Sequence, residues 1–337
     1  VSFDEFSSAT MSVTPFSPAP LLRNPHLQTL LPRLLRRRVA LTPTWQRLTL
    51  PDGDFIDLAW SEAPLAACHK PRVVLFHGLE GGFYSPYAHG LLQACRAAGW
   101  LAVVMHFRGC SGEPNLLPRF YHSGETGDAR FFLAWLRRTL GEVPTAAVGV
   151  SLGGNMLACY LAEEGSQAPL TAAVLVSAPL QLAACAAHLE SGAGRFYQRY
   201  LLHELKRSAL RKQRCYPQLR ALDPQQIRRL RRLREFDEQI TAPLHGFAGA
   251  DDYYRRCSAL PRLAAIRQPL LILQARDDPF MTAAVIPDRA RLPSNIDYQL
   301  TEFGGHVGFI NGTLRRPSLW LEQRIPEWLA CYLESMT

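Results

Sequence analysis

The sequence predicts an α/β fold: a mostly parallel central sheet flanked on both faces by helices and interrupted by a helical cap insertion. Two patterns carry that expectation. From residue 73 onward, short and wholly apolar runs alternate with amphipathic ones, as buried parallel strands alternate with the helices that cover them. Between 180 and 268 the alternation stops, and charged helical material without a strand pattern takes its place. With 337 residues and 47% apolar content, the chain can bury a core large enough for a sheet and an insertion.

Residues 1–40 are rich in proline and then basic, with Asn24-Pro25-His26-Leu27-Gln28-Thr29 ahead of Arg36-Arg37-Arg38. Their weak periodicity marks an N-terminal arm lying on the core. The first part of the core spans 41–179. It opens with a hairpin at 45–50 and 55–60, alternating around Pro51-Asp52-Gly53-Asp54, residues that tolerate unusual turn angles. Strands are then expected at 73–76, 101–107, 146–150 and 172–177, with helices at 87–98, 128–140 and 152–162. After the cap at 180–268, the second part of the core, 269–337, supplies strands at 270–274 and 298–303 and a closing helix at 319–333. A cap in that place crosses the strand ends where open α/β sheets bind ligands.

Composition narrows the function. No apolar run approaches the roughly 18 residues of a membrane span, and residues 1–20 lack a basic start followed by an apolar stretch. Eight cysteines lie scattered without C-x-x-C pairs, which suits a reducing compartment, so a cytoplasmic location is expected. The net charge of +8 is concentrated. Between Arg195 and Arg234 stand thirteen Lys or Arg against only Glu204 and Asp223. Such a segment reads first as a solvated helical surface and second as weak attraction to an anionic membrane surface. Its aromatics, Phe196, Tyr197 and Tyr200, are too few and too clustered for a base-stacking platform, so nucleic acid is not expected as a partner.

The chemistry centres on Gly149-Val150-Ser151-Leu152-Gly153, between a predicted strand and a predicted helix. Glycines two before and two after the serine permit a turn too tight for side chains, which lifts Oγ clear of the sheet edge. A serine hydroxyl is a weak nucleophile at neutral pH. It needs a base to take its proton and a carboxylate to fix the tautomer of that base. His306, in the glycine loop Gly304-Gly305-His306-Val307-Gly308 beyond the last strand, is the expected base. Asp277 or Asp278, at the end of strand 270–274, is the expected carboxylate; counting three residues past Ala275 points to Asp278. Two backbone amides should hold the oxyanion: Leu152, next to the nucleophile, and Leu79, in His77-Gly78-Leu79-Glu80-Gly81-Gly82.

That glycine loop lacks the spacing of a phosphate cradle. No H-E-x-x-H occurs, and His89, His106, His122, His188 and His245 lack ligand spacing, so neither a metal nor a cofactor is expected. Cys110 and Cys159 stand off any elbow turn and are read as packing residues. Arg108-Gly109-Cys110-Ser111-Gly112 has two readings, a lining of the pocket mouth or a tight structural turn anchored by Arg108.

Together with Phe107-Arg108-Gly109-Cys110-Ser111-Gly112, Tyr121-His122-Ser123-Gly124-Glu125-Thr126, Asp252-Tyr253-Tyr254 and Gly305-His306-Val307-Gly308-Phe309, these motifs resemble the α/β-hydrolases of the YheT type. That group is related to plant embryogenesis-associated proteins and animal abhydrolase-domain proteins. The resemblance spans nearly the whole chain and implies the α/β-hydrolase fold, whose sheet brings Ser, Asp and His to the site in that chain order. It implies a serine hydrolase of carboxylic esters, with Ser151, one of the paired aspartates and His306 as a triad. The expected substrate is a small-molecule acyl ester, short- to medium-chain or lipid-like. The same acyl-enzyme passed to an alcohol would make an acyltransferase, and a scaffold without catalysis would be a binding module.

Overall fold

The computed structural model of the chain describes residues 15–18, 20–36, 41–218, 223–313 and 315–334. Arg37, Arg38, residues 1–14 of the arm and Arg220 of the basic segment lie outside the described residues. Eight strands form one sheet: β1 (Thr44–Thr49), β2 (Phe55–Trp60), β3 (Arg72–Phe76), β4 (Leu101–Met105), β5 (Thr145–Val150), β6 (Ala172–Val176), β7 (Leu270–Ala275) and β8 (Ile296–Thr301). Their order is β1-β2-β4-β3-β5-β6-β7-β8. Strands β3 to β8 run parallel, and β1 and β2 add an antiparallel edge. The strand residues from β3 to β7 are buried throughout, which explains why those runs read as wholly apolar.

The arm holds more order than its periodicity predicts. Helix α1 (Pro25–Leu30) starts at Asn24, whose side chain accepts from the amides of His26 and Leu27, and α2 (Pro32–Leu35) follows directly. Asn before Pro is a helix-start signature, but six residues are too few for periodicity to register. Helices α3 (Pro86–Ala97), α4 (Gly127–Leu140) and α5 (Leu152–Glu164) join the parallel strands. Between β6 and β7 come α6 (Leu182–Leu189), α7 (Gly194–Cys215), α8 (Pro224–Arg229), α9 (Leu233–Phe236), α10 (Ala242–Leu244) and α11 (Ala250–Cys257). A short hairpin of β9 (Ile310–Gly312) and β10 (Pro317–Leu319), absent from the sequence reading, precedes α12 (Leu321–Leu333).

Alternate strand residues divide the core into two layers. Val73 and Leu75 of β3 pack with Leu91 of α3 and Ile325 of α12, whereas Val74 and Phe76 pack with Phe132 of α4 and Leu157 of α5. The interval from α6 to α11 has a smaller apolar cluster of its own, including Leu202, Ile227, Leu230 and Phe236. A buried lysine ties it down: Lys212 Nζ on α7 donates to Asn115 Oδ1 (2.7 Å) and to the Arg119 carbonyl (2.9 Å). Burial pulls this amine down to about 7. The same loop is fixed by Arg108, buried among Asp128, Asp52 and Asp54 at 2.7–3.0 Å. Arg108 therefore anchors a structural turn and does not line the pocket.

Candidate active site

Ser151 stands between β5 and α5 at φ 52° and ψ −119°, a conformation that L-residues adopt at a cost. Its neighbours explain the glycines: a Cβ on Gly149 would lie 2.5 Å from the Gly153 carbonyl oxygen, and one on Gly153 would lie 2.4 Å from that of Phe76. The helix can start so close to the sheet only because those side chains are missing. Five non-glycine residues have positive φ among the described residues: Glu80, Ser151, Ser177, Val307 and Phe309. All lie past the C-terminal ends of β3, β5, β6 and β8, the rim where the chemistry is expected.

His306 follows β8 in a loop held by the N-terminal arm. Its amide donates to Thr29 Oγ1 (2.9 Å), and the Thr29 hydroxyl donates to the Pro25 carbonyl (2.7 Å). Buried Gln28 pairs both ways with Ile310, donating to its carbonyl (3.0 Å) and accepting from its amide (2.6 Å). A Cβ on Gly308 would lie 2.0 Å from the Gln28 carbonyl oxygen, so that glycine lets arm and loop touch. Ser177 Oγ accepts from the Val307 amide (3.2 Å). The Phe280 ring stacks on the imidazole at 4.0 Å. Sequence reasoning missed Gln28, Thr29, Ser177 and Phe280. Gln28 and Thr29 stood inside a motif that drew attention only by resemblance.

The three side chains form a hydrogen-bonded row. His306 Nε2 lies 3.0 Å from Ser151 Oγ, and Nδ1 lies 2.8 Å from Asp278 Oδ2. A carboxylate can only accept, so Nδ1 carries the proton and Nε2 is left to accept from the serine. Asp278 is buried and also accepts from the Phe280 amide through Oδ1 (2.8 Å). Asp277 points elsewhere: its Oδ1 accepts from the Gly305 amide (2.9 Å), and its Oδ2 is buried without a partner among the described residues. Burial, and then the charge of Asp278, push the Asp277 carboxyl up.

The loop after β3 lies against the serine, with an added Cβ on Gly78 falling 3.3 Å from Ser151 Cβ. In this loop the Gly78 amide donates to Tyr87 Oη (2.8 Å) and the Glu80 amide to Tyr121 Oη (2.7 Å). The amides of Leu79 and Leu152 make no hydrogen bond among the described residues. His77 is structural: Nε2 accepts from the Phe107 amide (3.0 Å), Nδ1 donates to the Gly78 carbonyl, and burial holds it down at about 3. Burial likewise pushes the Cys159 thiol up to about 12 and the Cys110 thiol well above its ordinary range, so neither is poised as a thiolate.

Spacing along the chain concealed one juxtaposition. His122, Glu125 and His245 present potential ligand atoms within 4.8 Å of one another. Arg119 already donates to Glu125 there, and burial keeps both imidazoles neutral, at about 3. A guanidinium thus supplies the positive charge beside that carboxylate.

Ser151 and His306 open into a cavity of about 400 Å³. Leu182, Leu189 and Leu205 line it from the helical interval, Leu30 and Arg33 from the arm, and Leu79 and Leu152 from the sheet rim. Glu80 is a polar exception, with Tyr121 donating to its Oε1 (3.0 Å). Burial pushes Glu80 up to about 7, against the lowering effect of that hydroxyl. The native state therefore keeps a proton that the unfolded chain, titrating near 4.5, gives up; the associated stability is full below 4.5 and lost as pH rises through about 7. Glu80→Gln, which still accepts from Tyr121, is expected to flatten this slope by up to about 3 kcal/mol, read from urea midpoints across that range.

The α/β-hydrolase fold model matches residues 71–313, most of the sheet and the whole helical interval. The chain belongs to the α/β-hydrolase family. Within it, the YheT-type branch is marked by YheT of Escherichia coli (strain K12), whose name records a proposed esterase. That protein is 60% identical over 98% of this chain and 96% of its own length. Phospholipase ABHD3 of Homo sapiens is 30% identical, covering 84% of this α/β-hydrolase and 70% of the relative. Among solved structures, an esterase of Pyrococcus furiosus superposes with a TM-score of 0.56, covering 88% of this chain and 93% of that one. At 13% identity that likeness shows the fold alone.

Proposed function

We propose that this α/β-hydrolase is a serine esterase that cleaves carboxylic esters with short- to medium-chain or lipid-like acyl groups. The observation that carries the reading is the row Ser151–His306–Asp278 at the wall of an apolar cavity. Ser151 Oγ attacks the ester carbonyl while His306 Nε2 takes its proton, and Asp278 holds the imidazole in the required tautomer and stabilises its cationic form. The tetrahedral oxyanion is held by the unpaired amides of Leu79 and Leu152. His306 then protonates the leaving alcohol, and water attacks the acyl-enzyme with His306 again as base. Asp277 fixes the histidine loop through Gly305. Residues 180–268 act as a cap, and the aliphatic side chains they contribute fit an acyl chain better than a polar group. The names of the Escherichia coli and human relatives favour ester hydrolysis over other acyl chemistry.

No disulfide links the eight cysteines, which supports a cytoplasmic setting, and no helix among the described residues is long and apolar enough to cross a membrane. The direct test is labelling with a fluorophosphonate probe, followed by peptide mass spectrometry. One adduct is expected, on Ser151, and none in Ser151→Ala. An intact protein that takes up no probe, or takes it up equally after that substitution, contradicts the assignment.

A further inference from the structure

Single exposed apolar residues are ordinary on a protein surface, whereas contiguous ones mark a partner. Of the eleven large apolar side chains exposed among the described residues, seven stand on two adjoining elements. Leu21, Leu27, Leu30, Leu34 and Leu35 belong to the arm, and Phe196 and Tyr200 to the first turns of α7. Leu21 is 68% exposed and Phe196 62%. The two elements are stitched together at His26 Nδ1 with Tyr197 Oη (2.8 Å) and at Arg33 Nη2 with Tyr200 Oη (2.6 Å). Leu30, Arg33, Phe196 and Tyr200 also line the cavity that holds Ser151, so the exposed patch is the lip of its mouth.

Charge gives the partner its sign. Residues 20–36 and 194–203 contain no Asp or Glu, yet present Arg23, Arg33, Arg195 and Arg199 at the surface. Along the rest of the basic segment the cations divide: Lys212 is buried, Arg211 donates to the Gly109 and Gly112 carbonyls, and Arg207, Arg232 and Arg234 are paired with Glu204, Glu190 and Asp251, whereas Arg214, Arg228, Arg229 and Arg231 are exposed away from the cavity lining. Within residues 195–234, the segment expected to attract anionic membranes, the start of α7 is where exposed arginines adjoin exposed apolar side chains, and the arm adds Arg23 and Arg33 beside it.

We infer that this lip is a docking surface for an anionic lipid bilayer: Leu21, Leu34, Leu35 and Phe196 enter the acyl boundary while the four arginines meet headgroup phosphates. Leucine and aromatic side chains flanked by arginines, with no acid between them, are the composition of segments that lie in a membrane interface. Docking in this orientation sets the cavity mouth against the bilayer, so an acyl chain enters without crossing water. The inference rests on the proposed esterase for the purpose of the surface, but its binding test involves no catalysis.

The test is sedimentation of the full chain with vesicles of phosphatidylcholine, alone or with about one third phosphatidylglycerol. Binding to the anionic vesicles is expected to be at least about ten-fold tighter, and weaker in high salt. Leu21→Ser/Leu34→Ser/Leu35→Ser and Arg23→Gln/Arg195→Gln/Arg199→Gln, which leave every cavity-lining residue in place, should each weaken it by about ten-fold or more. Both should keep wild-type melting temperature and wild-type turnover of a water-soluble ester, and lose turnover of an ester embedded in vesicles. Wild-type protein that stays in the supernatant with anionic vesicles overturns the inference, as do variants that sediment like wild type. A self-associated wild type that ignores vesicles and becomes monomeric in the leucine variant assigns the lip to a second copy instead. Vesicle binding without any soluble-ester turnover would leave the docking surface standing and remove the esterase reading.

Discussion

Ser151→Ala is expected to lower kcat/KM for a water-soluble ester by about a million-fold while leaving the protein folded. The size follows from the row acting as a unit. Without the hydroxyl, His306 has no group to activate, and only the oxyanion amides and the cavity remain to help water, a residue of about a thousand-fold over the uncatalysed reaction. The fold should survive because, among the described residues, the serine side chain hydrogen-bonds only to His306, and alanine meets the same backbone strain at φ 52°. The measurement is turnover of a p-nitrophenyl ester at equal folded concentration, with melting temperature as the control. A fall of less than about ten-fold would mean that another group performs the attack, and Ser151 would lose its proposed role.

How legible these features were depends on how local their cause is. Strands β3 to β7 could be read because each is buried on both faces and so is apolar along most of its length, with Arg72, Thr145 and Gln274 as buried polar exceptions near the strand ends, a property of the segment itself. Gly149 and Gly153 could be read because the clash they avoid lies within five residues of sequence and one adjoining strand. The buttress of the His306 loop could not. Gln28 meets Ile310 across 282 residues, and Thr29 meets His306 across 277, so nothing near either residue announces the contact. Lys212 was counted among surface cations although its amine is buried, because a lysine whose partners are Asn115 and the Arg119 carbonyl looks in sequence like any other on a basic helix. The trio His122, Glu125 and His245 escaped for the same reason, since ligand spacing along a chain detects only sites built on one local element.

Asp278→Asn should lower kcat by about ten-thousand-fold, whereas Asp277→Asn should change it by less than about ten-fold. The two residues are adjacent and chemically identical, so the contrast isolates what each carboxylate touches. At Asp278, an amide would offer donors as well as an acceptor to His306 Nδ1, at 2.8 Å; the imidazole could then carry its proton on Nε2, facing the serine it must deprotonate. At Asp277, the Gly305 amide needs only an acceptor at 2.9 Å, which asparagine Oδ1 supplies, and the amide nitrogen replaces an oxygen that is buried without a partner. Removing that charge also relieves the burial that pushes the Asp277 carboxyl up, so Asp277→Asn should be as stable as wild type or more so. Single-turnover rates with a chromogenic ester, measured beside urea midpoints, separate the outcomes. A large loss at Asp277 with little at Asp278 would require the loop to turn until the other carboxylate reached the imidazole, breaking the Gly305 anchor and the Phe280 cap together.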